Sequence, residues 1–160
     1  HHYSDMGAKI LDAGCAMGDL LVRVVGRERF GCDFNAEYLE VAASRGITVT
    51  QCDLEAMPYA NDEFDLVVTT DVLEHVLDLN AVIWEMLRVL RPGGHLIIRS
   101  PDNEDLTGYL SPDYPYRFAH LRRFDEPSFR LLLSRVFGLE VVQTERVFGT
   151  AWEINVVARK

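Results

Sequence analysis

The chain has 160 residues, and its 25 acidic residues outnumber 16 Lys and Arg to give a formal net charge of -9. That length predicts one domain with a hydrophobic core, and 48% hydrophobic with 26% charged residues is a globular rather than a disordered composition. The acidic balance argues against binding of bulk nucleic acid, and no apolar segment approaches the roughly 20 residues that cross a membrane, so we expect a soluble, cytoplasmic protein.

The amino terminus begins with His1 and His2, which resemble the end of a purification tag. We expect residues 1–7 to be a tag remnant and short leader, and residues 8–160 to form a single domain. Three cysteines without a CxxC pair predict reduced thiols rather than a disulfide framework or a zinc ribbon.

Short apolar segments alternate along the chain with helical patterns, which is typical of strand-helix-strand units and a parallel sheet. Strands are predicted at residues 9–13, 30–33, 47–52, 64–70 and 95–98, followed by a closing antiparallel hairpin of residues 139–147 and 151–159. Helices are predicted at residues 36–45, 81–90 and 126–136, and apolar residues between 20 and 25 also recur at helical spacing.

Residues at the helix ends support these boundaries. Asn35 is the predicted N-cap of the first long helix, Gly46 is its stop, and Pro92 ends the second. Four apolar residues of the last helix are predicted to share one face: Phe129, Leu132, Leu133 and Val136. Residues 101–124 have no clear period, and long irregular segments of compact domains are often functional.

A glycine turn directly follows the first predicted strand. Gly14 and Gly18 let the backbone approach a ligand without an intervening Cβ, at the carboxyl edge where open α/β sheets bind ligands. The segment is neither a P-loop, which needs Gly-Lys-Ser/Thr, nor the G-x-G-x-x-G dinucleotide fingerprint. A tight connection without a ligand is the alternative for this segment alone.

Two acids stand at the ends of the next two predicted strands. Asp33 lies where a carboxylate accepts the hydroxyls of a ribose, although a solvated loop acid has the same pattern. Asp53 follows the third strand, where a carboxylate could accept a proton from an exocyclic amine. With the glycine turn, the two acids predict a pocket for an adenosine-like ligand.

Five segments in this order resemble the class I S-adenosylmethionine-dependent methyltransferases, especially the small-molecule group with an Asp-Val-Leu-Glu-His-Val signature. The segments are residues 10–18, 31–35, 52–59, 64–76 and 87–94. The resemblance implies an α/β fold, a Rossmann-like doubly wound sheet of strand order 3-2-1-4-5-7-6 with strand 7 antiparallel. It also implies S-adenosylmethionine as cofactor, S-adenosylhomocysteine as product, and a small-molecule acceptor methylated at oxygen, nitrogen or carbon.

The resemblance further assigns cofactor contacts. The glycine turn would lie along the methionine part of the cofactor, and Asp12 would reach its amino group through water. The end of the second strand would hold the ribose, and the end of the third would contact the adenine edge. The end of the fourth strand would border the sulfonium. The implied residues are Asp12, Gly14, Cys15, Ala16, Gly18, Asp33, Phe34, Asp53, Leu54, Thr70 and Asp71.

Two features depart from the family pattern. Ala16 stands where the family has its middle glycine, which adds one methyl group near the cofactor. Barely eight residues precede the first strand, where family members usually carry helices that cover the cofactor. Either the chain is trimmed or the pocket is open.

His75 and His120 are the candidate general bases, because imidazole titrates near neutral pH. Asp71, Glu74 and His75 have i, i+3, i+4 spacing and would share one face of a helical turn, which could bind a divalent cation if His120 joined them. Branches of the family use a Glu-x-x-Glu-His metal site for catechol-like or RNA 3'-end ribose methylation. The first acid here is Asp, and many members without metal share this turn, so we expect no metal. A metal-assisted O-methyltransferase of catechol-like or RNA 3'-end ribose acceptors is the alternative.

Charge is unevenly distributed. Residues 51–78 carry eight acids and no Lys or Arg, along loops that would flank a cationic sulfonium. Residues 116–135 carry five arginines against two acids, which suits a small anionic acceptor. We expect residues 101–124, with Tyr116 and Arg117, to line the acceptor pocket.

Two further alternatives do not involve methyl transfer. A non-catalytic cofactor-binding or interaction module would retain the same fold. A dehydrogenase lacks support, because the glycine fingerprint and a second nucleotide-binding half are absent from the sequence. The three cysteines near neighbouring strand ends are expected to be small buried thiols rather than a metal cluster.

Overall fold

The computed structural model describes residues 7–114, 119–149 and 151–160. Its strands are β1 (Lys9–Ala13), β2 (Glu28–Asp33), β3 (Thr48–Gln51), β4 (Phe64–Thr70), β5 (Leu90–Pro101), β6 (Glu140–Phe148) and β7 (Trp152–Arg159). The α-helices are α1 (Ala36–Ser44), α2 (Leu79–Val89) and α3 (Glu126–Leu131). Two short 3-10 helices cover Leu21–Arg23 and Leu106–Leu110, and a π-helical segment covers Leu132–Val136.

The strands form one seven-stranded sheet in the order β3-β2-β1-β4-β5-β7-β6. Strands β1 to β5 pair in parallel, whereas β7 is antiparallel to both of its neighbours. The predicted Rossmann-like α/β fold and its strand order are therefore confirmed. Buried side chains on the two faces of the sheet form two clusters, one around β4, β5, β7 and α2, the other around β1 and α1.

The helix that apolar spacing predicts at residues 20–25 does not form. Only Leu21–Arg23 forms a single 3-10 turn, and Val25 is 89% exposed. The segment lies between Gly18 and Gly26, both at positive φ, which leaves too few residues to offset the cost of helix nucleation.

The face predicted for the last helix is correct only in part. Phe129 and Leu133 are buried and Leu132 is half-buried, but Val136 is 59% exposed. The backbone N–H of Phe137 donates to the carbonyl of Leu132, five residues earlier, so the wider π turn rotates Val136 outward and buries Phe137.

Strand β5 is longer than the predicted 95–98 segment. Phe64 of β4 pairs with Leu90, and after a shift in register Leu66 pairs with His95. The Arg91-Pro92-Gly93-Gly94 sequence that ends α2 therefore lies within an irregular first part of β5. Among the described residues, no helix has both the length and the apolar composition needed to cross a membrane.

Candidate active site

The loops after β1, β2, β3 and β4 gather at one edge of the sheet. These strands are adjacent and parallel, with Ala13 beside Cys32, Asp33 beside Gln51, and Asp12 beside Val68. Their carboxyl ends therefore bring the glycine turn and the strand-end acids together, as the sequence predicts.

The glycine turn has no room for a side chain at Gly14 or at Gly18. Both have positive φ, +85° and +80°. A Cβ atom at Gly14 would lie 2.4 Å from Cγ2 of Val72, and one at Gly18 would lie 2.3 Å from Cδ1 of Ile47. Ala16 between them also has positive φ, +44°, so its departure from glycine costs backbone strain as well as an added methyl group.

Asp33 holds this turn in place. One carboxylate oxygen accepts the backbone N–H of Ala16 at 2.9 Å, and the other accepts that of Asn35 at 2.9 Å. The side chain is buried, and each oxygen keeps a second lone pair for a further donor. The sequence pattern predicts Asp33 only as a ligand for ribose and gives no signal for this anchoring role.

Asp12 is a buried carboxyl with an unmatched oxygen. Its residue is 2% exposed, and Oδ1 has no hydrogen-bond partner among the described residues. The pKa of Asp12 is raised to about 7, mainly by burial and then by the nearby charge of Asp33, with Arg99 acting in the opposite direction. A buried polar atom without a partner is costly in a folded protein, and a cationic ligand group would satisfy it.

The residues after β2 and β3 form the outer part of this edge. The Phe34 side chain is 67% exposed, and the Asp53 carboxylate accepts the backbone N–H of Glu55 at 2.9 Å. Leu54 packs partly against the core. The Gln51 side-chain amide donates to the Phe34 carbonyl at 2.9 Å, which ties the two loops together.

The end of β4 differs from the expectation. Asp71 has φ +56° and its carboxylate pairs with Arg99, a residue that no sequence signal singled out. Residues 71–77 form turns and bends rather than a helix, and among the described residues Asp71 does not belong to the group of potential metal ligands that includes Glu74 and His75. Thr70 is half-buried at the strand end.

Glu74, His75 and His120 do come together. One potential ligand atom from each lies within 4.8 Å of the others. The His75 and His120 rings meet edge to face with centroids 4.5 Å apart. Burial raises the pKa of Glu74, and burial followed by the charge of His120 lowers that of His75.

The expected acceptor residues Tyr116 and Arg117 lie outside the described residues. Two arginines of the positive segment are already engaged. Arg122 donates to backbone carbonyls of residues 73–77, and Arg130 pairs with Glu126. They are thus less available to an anionic acceptor than the sequence suggests.

The cysteines do not form a metal-ligand group among the described residues. Cys15 and Cys32 are buried and Cys52 is half-buried. Burial raises the pKa of Cys15 to about 12, and a hydrogen bond between Cys32 and Cys52 raises the pKa of Cys32 and lowers that of Cys52. The expectation of mostly buried thiols agrees with this placement.

A model of the protein family described as methyltransferase domain matches residues 4–123. The chain is 31% identical over 142 residues to the ubiquinone/menaquinone biosynthesis C-methyltransferase UbiE of Cellvibrio japonicus, covering 79% of this chain and 51% of that protein. It is 37% identical over 95 residues to a probable tRNA methyltransferase 9B of Bos taurus, covering 58% of this chain and 21% of that protein.

Among solved structures, a crystal structure of a SAM-dependent methyltransferase from Methanosarcina mazei has the same fold. Its TM-score is 0.80 at 20% identity, covering 98% of this chain and 93% of that one. The chain spans between about a fifth and a half of the length of the two curated relatives.

Proposed function

The chain belongs to the methyltransferase domain family, whose cofactor is S-adenosylmethionine, and on that premise we propose that it transfers the cofactor's methyl group to a small-molecule acceptor. The acceptor atom is an oxygen, nitrogen or carbon nucleophile. Assignment to the small-molecule group with the Asp-Val-Leu-Glu-His-Val signature is part of the same proposal.

The unmatched, buried oxygen of Asp12 is the observation that carries the proposal. The cofactor's amino group is a cation that fits a buried carboxylate, directly or through a water. Next to it, Gly14 lets the turn pack closely against Val72, because a Cβ there would lie 2.4 Å from Cγ2 of Val72. The residues present therefore fit the cofactor.

The remaining assignments follow the strand ends. Asp33 would accept the ribose hydroxyls with its second lone pairs, Phe34 would cover the adenine, and Asp53 with the Leu54 amide would contact the adenine edge. Thr70 and Asp71 would border the sulfonium. Gly14, Cys15, Ala16 and Gly18 would supply backbone along the methionine part.

When bound, S-adenosylmethionine supplies an electrophilic methyl group on a sulfonium. The chain's own contribution is to hold acceptor and methyl group in line, which by itself supplies much of the rate enhancement. The acids that follow β3 and β4, Asp53, Glu55 and Asp71, lie at this edge of the sheet and favour a cationic cofactor electrostatically. His75 or His120 would accept a proton from an acceptor that needs to lose one.

The net charge of the chain favours a small-molecule acceptor over RNA. RNA binding depends on Lys and Arg contacts to phosphates, whereas this chain has a net charge of -9 and only two lysines. Arg122 and Arg130 are already paired, which leaves few free cations on the described surface near the site. The tRNA relative nevertheless makes RNA the second acceptor class to test.

Release of S-adenosylhomocysteine tests the proposal. The protein is incubated with S-adenosylmethionine and, separately, with a quinol, a phenolic carboxylate, a primary amine and unmodified tRNA; heat-denatured protein is the control. We expect acceptor-dependent release with a small molecule. Release with tRNA alone would assign the acceptor to RNA, and cofactor binding without release from any acceptor would favour a non-catalytic module.

A further inference from the structure

Three side chains with metal-binding atoms meet beside the end of β4. One carboxylate oxygen of Glu74 and one ring nitrogen each of His75 and His120 lie within 4.8 Å of one another. The two histidines are half-buried, and Glu74 is 1% exposed. An ion at the centre of such a group would be within reach of all three after only small movements of the side chains.

Both imidazole rings are oriented by contacts at Nδ1. His75 Nδ1 lies 3.3 Å from the carbonyl oxygen of Ala119, and His120 Nδ1 contacts a carboxylate oxygen of Glu104. A carbonyl and a carboxylate are acceptors, so each contact fixes the proton on Nδ1. Nε2 of each ring then carries its lone pair, which is the arrangement that metal-bound histidines show in proteins.

Glu104 is itself positioned. Its other carboxylate oxygen accepts the hydroxyl of Tyr109 at 2.8 Å. Both oxygens are therefore engaged, one by a hydroxyl and one by an imidazole N–H, and the His120 ring is held in a defined orientation.

Glu74 provides an independent observation. Its Oε2 accepts the Ser100 hydroxyl at 3.1 Å, but Oε1 is buried and has no hydrogen-bond partner among the described residues. An unpaired carboxylate oxygen in the protein interior is expensive, and a bound cation would compensate it.

The loop that carries His120 is fastened to the turn that carries Glu74 and His75. The Leu121 N–H donates to the Glu74 carbonyl at 2.8 Å. The Arg122 guanidinium donates to the carbonyls of Leu73, at 2.8 Å, and Val76. The three side chains are thus brought together by backbone contacts that do not involve an ion, so the group is preorganised.

We propose that Glu74, His75 and His120 bind a single divalent transition-metal ion. Two imidazoles and one carboxylate suit Zn²⁺, Co²⁺, Fe²⁺ or Ni²⁺, whereas Mg²⁺ and Ca²⁺ prefer sites made of oxygen ligands. Three protein ligands leave at least one coordination position for water or an acceptor, as in catalytic rather than structural sites.

The consequence for the reaction rests on the proposed methyl transfer. A hydroxyl acceptor on the open position would lose its proton to solvent more easily, because the ion stabilises the resulting oxyanion. That oxygen forms a bond to the methyl carbon while the carbon–sulfur bond breaks, and the electron pair of that bond stays on sulfur. A nitrogen bound to the ion has no lone pair for a proton, so with the ion bound the metal replaces His75 or His120 in promoting the loss of the acceptor's proton.

Co²⁺ is the probe for the test, because its visible absorption reports the coordination sphere. Protein is freed of metal with a chelator, and His1 and His2 are replaced by Ser in every sample to remove competing nitrogens. We expect one equivalent of Co²⁺ to bind and to show the visible absorption of an ion with a low coordination number. Zn²⁺ should displace the bound Co²⁺.

Three variants and one control accompany the titration. Glu74→Gln keeps the shape and removes a buried charge, so it is expected to fold and to lose most of the Co²⁺ affinity. His75→Asn should do the same, and Glu104→Gln should weaken binding by about 10- to 100-fold through the orientation of His120. His95→Asn, in β5, is the matched control and should leave binding unchanged. Circular dichroism confirms folding of each.

The proposal is overturned if wild-type protein binds no Co²⁺, or if Glu74→Gln and His75→Asn retain it as well as His95→Asn. Calorimetry with S-adenosylmethionine on the same metal-free samples separates the two proposals. Cofactor binding without metal binding refutes only the metal site, whereas absence of cofactor binding in a folded sample refutes the proposed function.

Discussion

Asp12 has an environment that changes its protonation on folding. The carboxyl is buried at the end of β1, and its pKa rises from 3.8 to about 7, mainly because burial disfavours the charged form. Between these two values the folded protein keeps a proton that the unfolded chain has lost. Its contribution to the unfolding free energy is therefore largest below pH 4 and falls as pH rises to about 7.

We predict that this group makes the cofactor-free protein less stable at high pH. Its contribution falls by roughly 1.4 kcal/mol per pH unit at most between pH 4 and 7. Asp12→Asn lacks the titration, so its unfolding free energy should improve relative to wild type from pH 5 to pH 8. Urea unfolding of both proteins at the two pH values measures the difference; a difference that is constant or of opposite sign contradicts it.

At the scale of elements, the sequence predicts strands better than helices. Residues 64–70 are predicted and observed as the same strand, because a continuous β-branched and apolar segment is typical of a strand buried on both faces. The helix predicted at residues 20–25 is wrong because apolar periodicity alone does not show that two glycines at positive φ enclose the segment. The predicted burial of Val136 is wrong because a π turn changes the period that the helical pattern assumes.

Asn35 is the N-cap of α1, as the sequence predicts, and it also adjoins the site. Its side chain accepts the backbone N–H of Glu37 at 2.9 Å and that of Tyr38 at 3.3 Å, while its own backbone N–H donates to Asp33. The start of α1 and the proposed ribose carboxylate are thus coupled through one residue.

We predict that Asn35→Ala lowers the unfolding free energy by about 1 kcal/mol, because two backbone N–H groups lose their acceptor. It should also weaken S-adenosylmethionine binding, since the start of α1, which carries the backbone N–H that Asp33 accepts, is then less firmly held. Asn35→Ser is the control that keeps a capping oxygen and should retain most of both properties. Thermal unfolding and calorimetry measure them, and equal behaviour of the Ala and Ser variants would rule out the capping effect.

At the scale of the whole molecule, the five motifs in order fix the strand order because each belongs to a known place in one sheet. The interior of the site is less predictable. Glu104 and Arg99 carry no sequence signal, since their roles depend on where an irregular loop and β5 place them beside His120 and Asp71. Asp33 shows the same limit, because its contacts to Ala16 and Asn35 are visible only after folding.

The charge distribution also changes meaning in three dimensions. Among the acids of residues 51–78, Asp53 and Asp71 follow β3 and β4 at the edge with the glycine turn, where a cationic cofactor is proposed. Glu63 and Asp65 lie at the start of β4, at the opposite edge of the sheet, and pair with Lys9 and Arg91. In the arginine-rich segment, Arg122 donates to backbone carbonyls and Arg130 pairs with Glu126. Arg122 and Arg130 are therefore less available to an anionic acceptor than the composition of the segment predicts.

Isothermal calorimetry with S-adenosylmethionine, S-adenosylhomocysteine and NAD tests the central claim most directly. Asp33→Ala is compared with Glu40→Ala, which removes a charge from the exposed side of α1, and circular dichroism checks that both fold. We predict saturable one-to-one binding of the first two ligands, none of NAD, and loss of binding only in Asp33→Ala. Folded wild-type protein that binds neither S-adenosylmethionine nor S-adenosylhomocysteine would contradict the account.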